Sequence, residues 1–90
     1  MPKYSKLSSR ARKKLRDEFV KSQNSLCLFC LCSLNHPPPK EIRTIPINWK
    51  LFPPHFTKYP VHLHHDHDTD ECIGAVHSYC NAVLWQYFGS

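Results

Sequence analysis

His62-Leu63-His64-His65-Asp66-His67-Asp68-Thr69-Asp70 continues as Glu71-Cys72-Ile73-Gly74-Ala75-Val76-His77-Ser78-Tyr79-Cys80-Asn81. This stretch holds five of the seven histidines, four of the seven carboxylates and two of the five cysteines of a 90-residue chain. Packing does not ask for imidazoles and carboxylates at this density, whereas metal coordination, or proton transfer beside a metal, does. The surrounding pattern reads strand, turn, strand, helix. Residues 61–66 suit a first strand and residues 72–76 a second, with Asp68, Thr69 and Asp70 as polar loop residues. Ser78 is placed to cap a helix running to about Phe88. Tyr79, Val83 and Tyr87 share one of its faces, and Gly89 is placed to end it.

Two constellations emerge. Cys27-x-x-Cys30 and His77-x-x-Cys80 each offer two ligands from one tight turn. Together they predict a closed tetrahedral Zn2+ site of three thiolates and one imidazole, pinning the N-terminal segment to the start of the last helix. Cys32 is a third thiol in that region; a free cysteine is the plainer reading, as is a small core residue for Cys72. The second constellation is the His-rich strand. Neighbours on a strand point to opposite faces, so His64 and His65 are poor partners in one coordination sphere and good candidates for two different jobs. Asn81, one residue after a zinc ligand, can face His64 if the last helix packs on the hairpin. An ion with few protein ligands keeps positions open for water and substrate, and a neutral imidazole beside it can take a proton near pH 7.

Working outward, residues 3–21 carry eight of the twelve lysines and arginines against Asp17 and Glu18 alone. Leu7, Ala11, Leu15 and Phe19 recur every four residues, predicting an amphipathic helix within residues 1–24, capped by Ser5 or Ser8, with fraying first residues. Arg10, Arg12, Lys13, Lys14 and Arg16 are the candidate phosphate contacts; the plainer alternative is a solvated basic face. Residues 25–32 form the zinc knuckle. Residues 33–60 hold seven of the eight prolines, which exclude long helices and central strands. Their Ile42, Ile45, Ile47, Trp49, Leu51, Phe52, Phe56 and Tyr59 are too apolar for a disordered linker, so an ordered arm wrapped on the body is expected.

The formal charge of +5 and pI near 9.1 suit a polyanionic partner. No apolar signal region opens the sequence and no run reaches membrane-spanning length; an odd cysteine count argues against a disulfide framework. A reducing cytoplasmic setting is therefore expected. His36 and His62 read as polar surface, Asp68 and Asp70 as turn caps, and Thr69 as a loop stabiliser.

His64-His65-Asp66-His67-Asp68-Thr69-Asp70, Gly74 and His77-x-x-Cys80-Asn81 resemble the core of the recombination endonuclease VII family, which belongs to the HNH, or ββα-metal, nucleases. Gln23-Asn24-Ser25-Leu26-Cys27-Leu28-Phe29-Cys30 resembles the family's Q-x-x-x-C-x-x-C segment. The likeness spans about residues 19–32 and 61–89, and leaves the Pro-rich arm without a counterpart. It implies a small α+β, zinc-stapled ββα-metal (His-Me finger) fold filling one domain, residues 1–90, with the motif itself over residues 61–89. It also implies a DNA partner and single-metal phosphodiester hydrolysis leaving 5′-phosphate and 3′-hydroxyl ends.

In that likeness His65 matches the general base, and His64 stands at the position of the metal-binding aspartate. Asn81 matches the asparagine that binds the same ion, and His67 a supporting or substrate-contacting histidine. Cys27, Cys30, His77 and Cys80 match the zinc ligands. The departures are His77 for cysteine, Ile73 for a common arginine, Asp70 for glycine, which implies a different loop backbone, and His64 for aspartate. Losing that carboxylate favours Mn2+, Ni2+ or Co2+ over Mg2+, unless Asp66 turns inward to replace it. The length left over suggests a monomer that nicks one strand, with a dimer cutting both strands as the alternative. The rival readings are a zinc-bound nucleic-acid-binding module without nuclease activity, and a protein using the histidines for loose metal capture.

Overall fold

A computed structural model describes residues 2–89 of the chain; Met1 and Ser90, the two ends of the expected domain, lie outside the described residues. The elements are a 3-10 turn Tyr4–Lys6, helix α1 Ser9–Ser22, a short helix α2 Lys40–Arg43, a 3-10 turn Trp49–Leu51, strands β1 Val61–His65 and β2 Cys72–His77, and helix α3 Ser78–Phe88. The architecture is small α+β, with one two-stranded antiparallel sheet. Among the described residues no helix is long and apolar enough to cross a membrane.

Ser8 supplies the start of α1: its Oγ accepts from the Ala11 amide at 3.2 Å, satisfying an otherwise orphan donor. Leu7, Ala11, Leu15 and Phe19 all lie half-buried, as their spacing requires. The residues before the helix do not fray. Cys72 donates its amide to the Pro2 carbonyl at 3.0 Å, and Tyr4 donates to the Asp70 carbonyl at 2.7 Å. Ser5 donates its amide (3.0 Å) and its hydroxyl to Asp70 Oδ2. Lys3 donates to the Thr69 carbonyl at 2.8 Å. The chain's first turn is thus clasped to the loop between the strands. That clasp explains Asp70: it takes the left-handed conformation (φ 62°) that a glycine would favour, and its carboxylate is fixed by Ser5.

The strands pair from Val61↔His77 to His64↔Gly74, then slip so that His65 pairs with Cys72. Ile73 is therefore the extra residue of a bulge, which the alternation pattern alone did not reveal. Both strands also differ at one end from the sequence-based bounds: β1 stops at His65 and β2 extends through His77. Helix α3 is capped differently from expectation. His77 occupies the cap position without a side-chain bond and Ser78 is the first helical residue, because His77 is held elsewhere. At the other end Gly89 takes φ 73° and its amide returns to Trp85, ending the helix as expected.

The free edge of β2 is covered by the N-terminal segment. Gln23 Oε1 accepts from the Ala75 amide at 2.9 Å, and its Nε2 donates to the carbonyls of Ala75 (2.9 Å) and Leu26 (2.8 Å). This approach requires Gly74, where an added Cβ would sit 2.8 Å from both Gln23 Oε1 and Leu28 Cδ2. Gly74→Ala should therefore cost roughly 1–3 kcal/mol, the range for overpacking a close contact. Urea unfolding at fixed metal content measures it, and an unchanged midpoint would refute the constraint.

The arm of residues 33–60 lies against the body but packs only in part: Ile42, Ile45, Ile47, Phe52 and Phe56 are half-buried, while Trp49, Leu51 and Tyr59 are exposed. Helix α3 holds it: the Tyr79 and Tyr87 hydroxyls donate to the carbonyls of Ile45 and Pro46, and Asn48 donates its amide to Gln86 Oε1 at 2.8 Å. Trp49 packs edge-on to Tyr79.

Candidate metal centre and candidate active site

The core is small and centres on the candidate zinc ligands. Fully buried side chains include Cys27, His77 and Cys80, and the apolar cluster around them is Leu34, Ala75 and Val76. One donor atom from each of Cys27, Cys30, His77 and Cys80 lies within 4.8 Å of the others, so the four are positioned to hold a metal such as zinc. His77 Nδ1 stands 3.4 Å from Cys30 Sγ and 3.6 Å from Cys80 Sγ. Tetrahedral arms of about 2.3 Å to sulfur and 2.0–2.1 Å to nitrogen place such donors about 3.6 Å apart.

The protonation chemistry fits as well. His77 Nε2 faces the carbonyls of Ser33 (2.8 Å) and His36 (2.9 Å), which only accept. The proton therefore sits on Nε2 and the Nδ1 lone pair faces the thiols, the outer-shell arrangement of a metal-bound histidine. A contact from Cys80 is the main cause holding the Cys27 thiol down at about 4, helped by the amides of Cys30, His77 and Phe29. The same contact and burial push Cys80 up, and burial pushes Cys30 up. Ionising one thiol thus raises the cost of ionising its neighbours, a cost that a bound cation would offset. Cys32 is exposed and outside the cluster, and Cys72 is a buried core residue.

The second site lies where β1 meets α3. His64 is buried, and its Nδ1 is 3.2 Å from Asn81 Oδ1. Asn81 Nδ2 in turn lies 3.1 Å from His62 Nδ1 and donates to it, so the amide is oriented from both sides. Sequence reasoning placed His62 on the polar surface. Instead it shares the inner face of β1 with His64, as the two-residue strand period requires, and packs edge-on to Phe56 of the arm. That period was the signal available in the sequence. With Nδ2 donating to His62, Asn81 Oδ1 accepts from His64 Nδ1, so the two are joined by a hydrogen bond.

Asp66 does not join them. Its Oδ1 accepts the amides of Asp68 (2.8 Å) and Thr69 (3.1 Å), closing the loop, and no hydrogen bond links it to His64 or Asn81. Thr69 Oγ1 accepts from the Glu71 amide, a loop-stabilising role as expected.

His65 faces away from His64, toward the N-terminal clasp. Its ring stacks on Tyr4 at 3.9 Å and 8°, and the Arg12 guanidinium lies 3.9 Å from the centre of the same tyrosine ring. Arg12 also donates to the Tyr4 carbonyl through Nε (3.2 Å) and Nη2 (3.0 Å). His67 packs edge-on to His65 and is itself backed by Trp85. Burial, with His67, His64 and Arg12 nearby, lowers the His65 pKa against the opposing pull of Asp70. His65 is thus neutral at pH 7, the state in which it accepts a proton.

A cleft of about 570 Å3 opens above this floor. His62, His65 and Asn81 line its base, Arg12, Lys13 and Arg16 one side, and aromatic residues of the arm the other. The five candidate phosphate contacts are thereby divided: Arg12, Lys13 and Arg16 reach the cleft, while Arg10 and Lys14 lie along a shallow outer depression on α1 that Lys13 also borders. Comparison with protein-family models, with curated proteins and with solved structures gives no match to this chain.

Proposed function

We propose that this protein is a metal-dependent DNA endonuclease of the HNH, ββα-metal type, built on a structural zinc at Cys27, Cys30, His77 and Cys80. What supports this reading is one cleft lined by His65, whose ring is held by stacking, by Asn81, which is hydrogen-bonded to His64, and by three cationic side chains.

In this reading Arg12, Lys13 and Arg16 bind and orient the phosphate backbone. His64 and Asn81 hold a divalent ion, which would neutralise charge on the phosphate and the departing oxygen. A ring nitrogen of His65 takes the proton of the attacking water; Tyr4, Arg12 and His67 fix the plane of that ring. Asn81 needs its own orientation fixed, and His62 does that through the amide.

Only neutral His65 can act, so the rate should rise with pH through a pKa below the ordinary 6.5 and reach its plateau by pH 7. A pH–rate profile with its acid limb centred above 7 would contradict the base assignment.

An imidazole in place of a carboxylate favours borderline ions over hard ones. Nicking of supercoiled plasmid should therefore be faster with Mn2+ or Ni2+ than with Mg2+, by about tenfold or more if the ligand change weakens Mg2+ binding by about 1.4 kcal/mol. Equal or better turnover with Mg2+ would overturn His64 as a ligand.

A further inference from the structure

We infer that the cleft takes an unpaired DNA strand, with the Pro-rich arm stacking a base beside the phosphate held over His65; this rests on the nuclease reading for the role of that phosphate. The two walls differ in chemistry. On the α1 side stand Arg12, Lys13 and Arg16, and among the described residues no carboxylate lines the cleft. Lys13 is paired with Asp17 at 3.0 Å, whereas among the described residues Arg16 has no salt bridge.

On the facing wall the arm presents Phe52, Phe56 and Tyr59. Phe52 and Phe56 pack at 4.7 Å, and Phe56 meets the His62 ring at 4.8 Å, so the aromatic wall reaches the floor at the candidate site. Tyr59 remains 62% exposed. A cationic track facing aromatic rings is the arrangement that binds single strands: phosphates follow the charges while bases stack on the rings without sequence preference.

The cleft volume of about 570 Å3 falls within the range of pockets for small ligands, about 300–1,000 Å3. A paired base shows its face only to its stacked neighbours, and reaching Phe56 requires it to leave the helix. This also gives the arm a purpose that its packing alone does not explain. Tyr79, Tyr87 and Gln86 hold its backbone, leaving the aromatic side chains turned toward the cleft.

The test measures binding of the full, zinc-loaded chain by fluorescence anisotropy without added divalent ions. The probes are a labelled 12-nucleotide strand, the same strand in a duplex, and the same strand with its central bases removed. The intact strand should bind about tenfold tighter than the duplex, and base removal should weaken it about five- to hundredfold, the range for loss of aromatic stacking. Phe56→Leu and the more exposed Tyr59→Ala should each lower single-strand affinity about fivefold or more and leave duplex affinity unchanged. Equal or tighter duplex binding, or equal binding of the base-free strand, would overturn the inference; both comparisons use the unaltered protein and do not depend on a variant folding. A single-strand preference without cutting by any ion would uphold the cleft assignment and remove the nuclease reading.

Discussion

Removing the metal from Cys27, Cys30, His77 and Cys80 should unfold the domain. Among the described residues nine hydrophobic residues are buried: two leucines, two valines, two alanines and three cysteines, two of them candidate zinc ligands. No buried phenylalanine, isoleucine, methionine or tryptophan is among them. A chain of this size is marginal even with a full aliphatic core. Structural zinc contributes apparent free energies of about 10–16 kcal/mol in small domains, against a total stability of about 5–15 kcal/mol. Cys80→Ser, or extraction by a strong chelator, should abolish the cooperative thermal transition and the far-ultraviolet helical signal. One zinc per chain is expected in the native protein. A metal-free chain that melts where the native one does would remove the staple from the account.

The other large effect is on catalysis. His65→Ala should lower the cleavage rate by about 10²–10⁴-fold, the usual contribution of a positioned general base. Its folding should be little changed, because His65 is half-buried and packs on Tyr4, outside the buried core. Asn81→Ala should be nearly as severe by a different route. It removes one proposed ion donor and leaves the facing nitrogens of His62 and His64 without the amide between them. The variants separate by ion dependence: raising Mn2+ should partly restore Asn81→Ala and leave His65→Ala unchanged.

Local spacing carried much of this into the sequence. The pairs Cys27/Cys30 and His77/Cys80 belong to turns that bring two donors together, and strand alternation separated His64 from His65 before any coordinates. The apolar content of residues 33–60 announced a partly packed arm despite its prolines. Less legible were contacts between distant segments. Tyr4 stacks on a residue 61 positions away, and the clasp of residues 2–5 on Thr69, Asp70 and Cys72 puts it there. His62 was misjudged because one histidine beside a cluster looks like surface until the helix carrying Asn81 is docked. Asp66 had two uses open to it, and the short loop needed its carboxylate. The cleft is a property of α1, β1 and the arm together, with no local signature.

The central claim is the proposed one, that His65 acts as general base with an ion at His64 and Asn81, which would make this chain a nuclease. It is tested most directly by incubating supercoiled plasmid with purified native protein and His65→Ala, at equal zinc content, with Mn2+ added or withheld. The account predicts nicking by the native protein that requires Mn2+ and is lost in His65→Ala. Undiminished cutting by the variant, or intact plasmid with the native protein under every divalent ion tried, would contradict it.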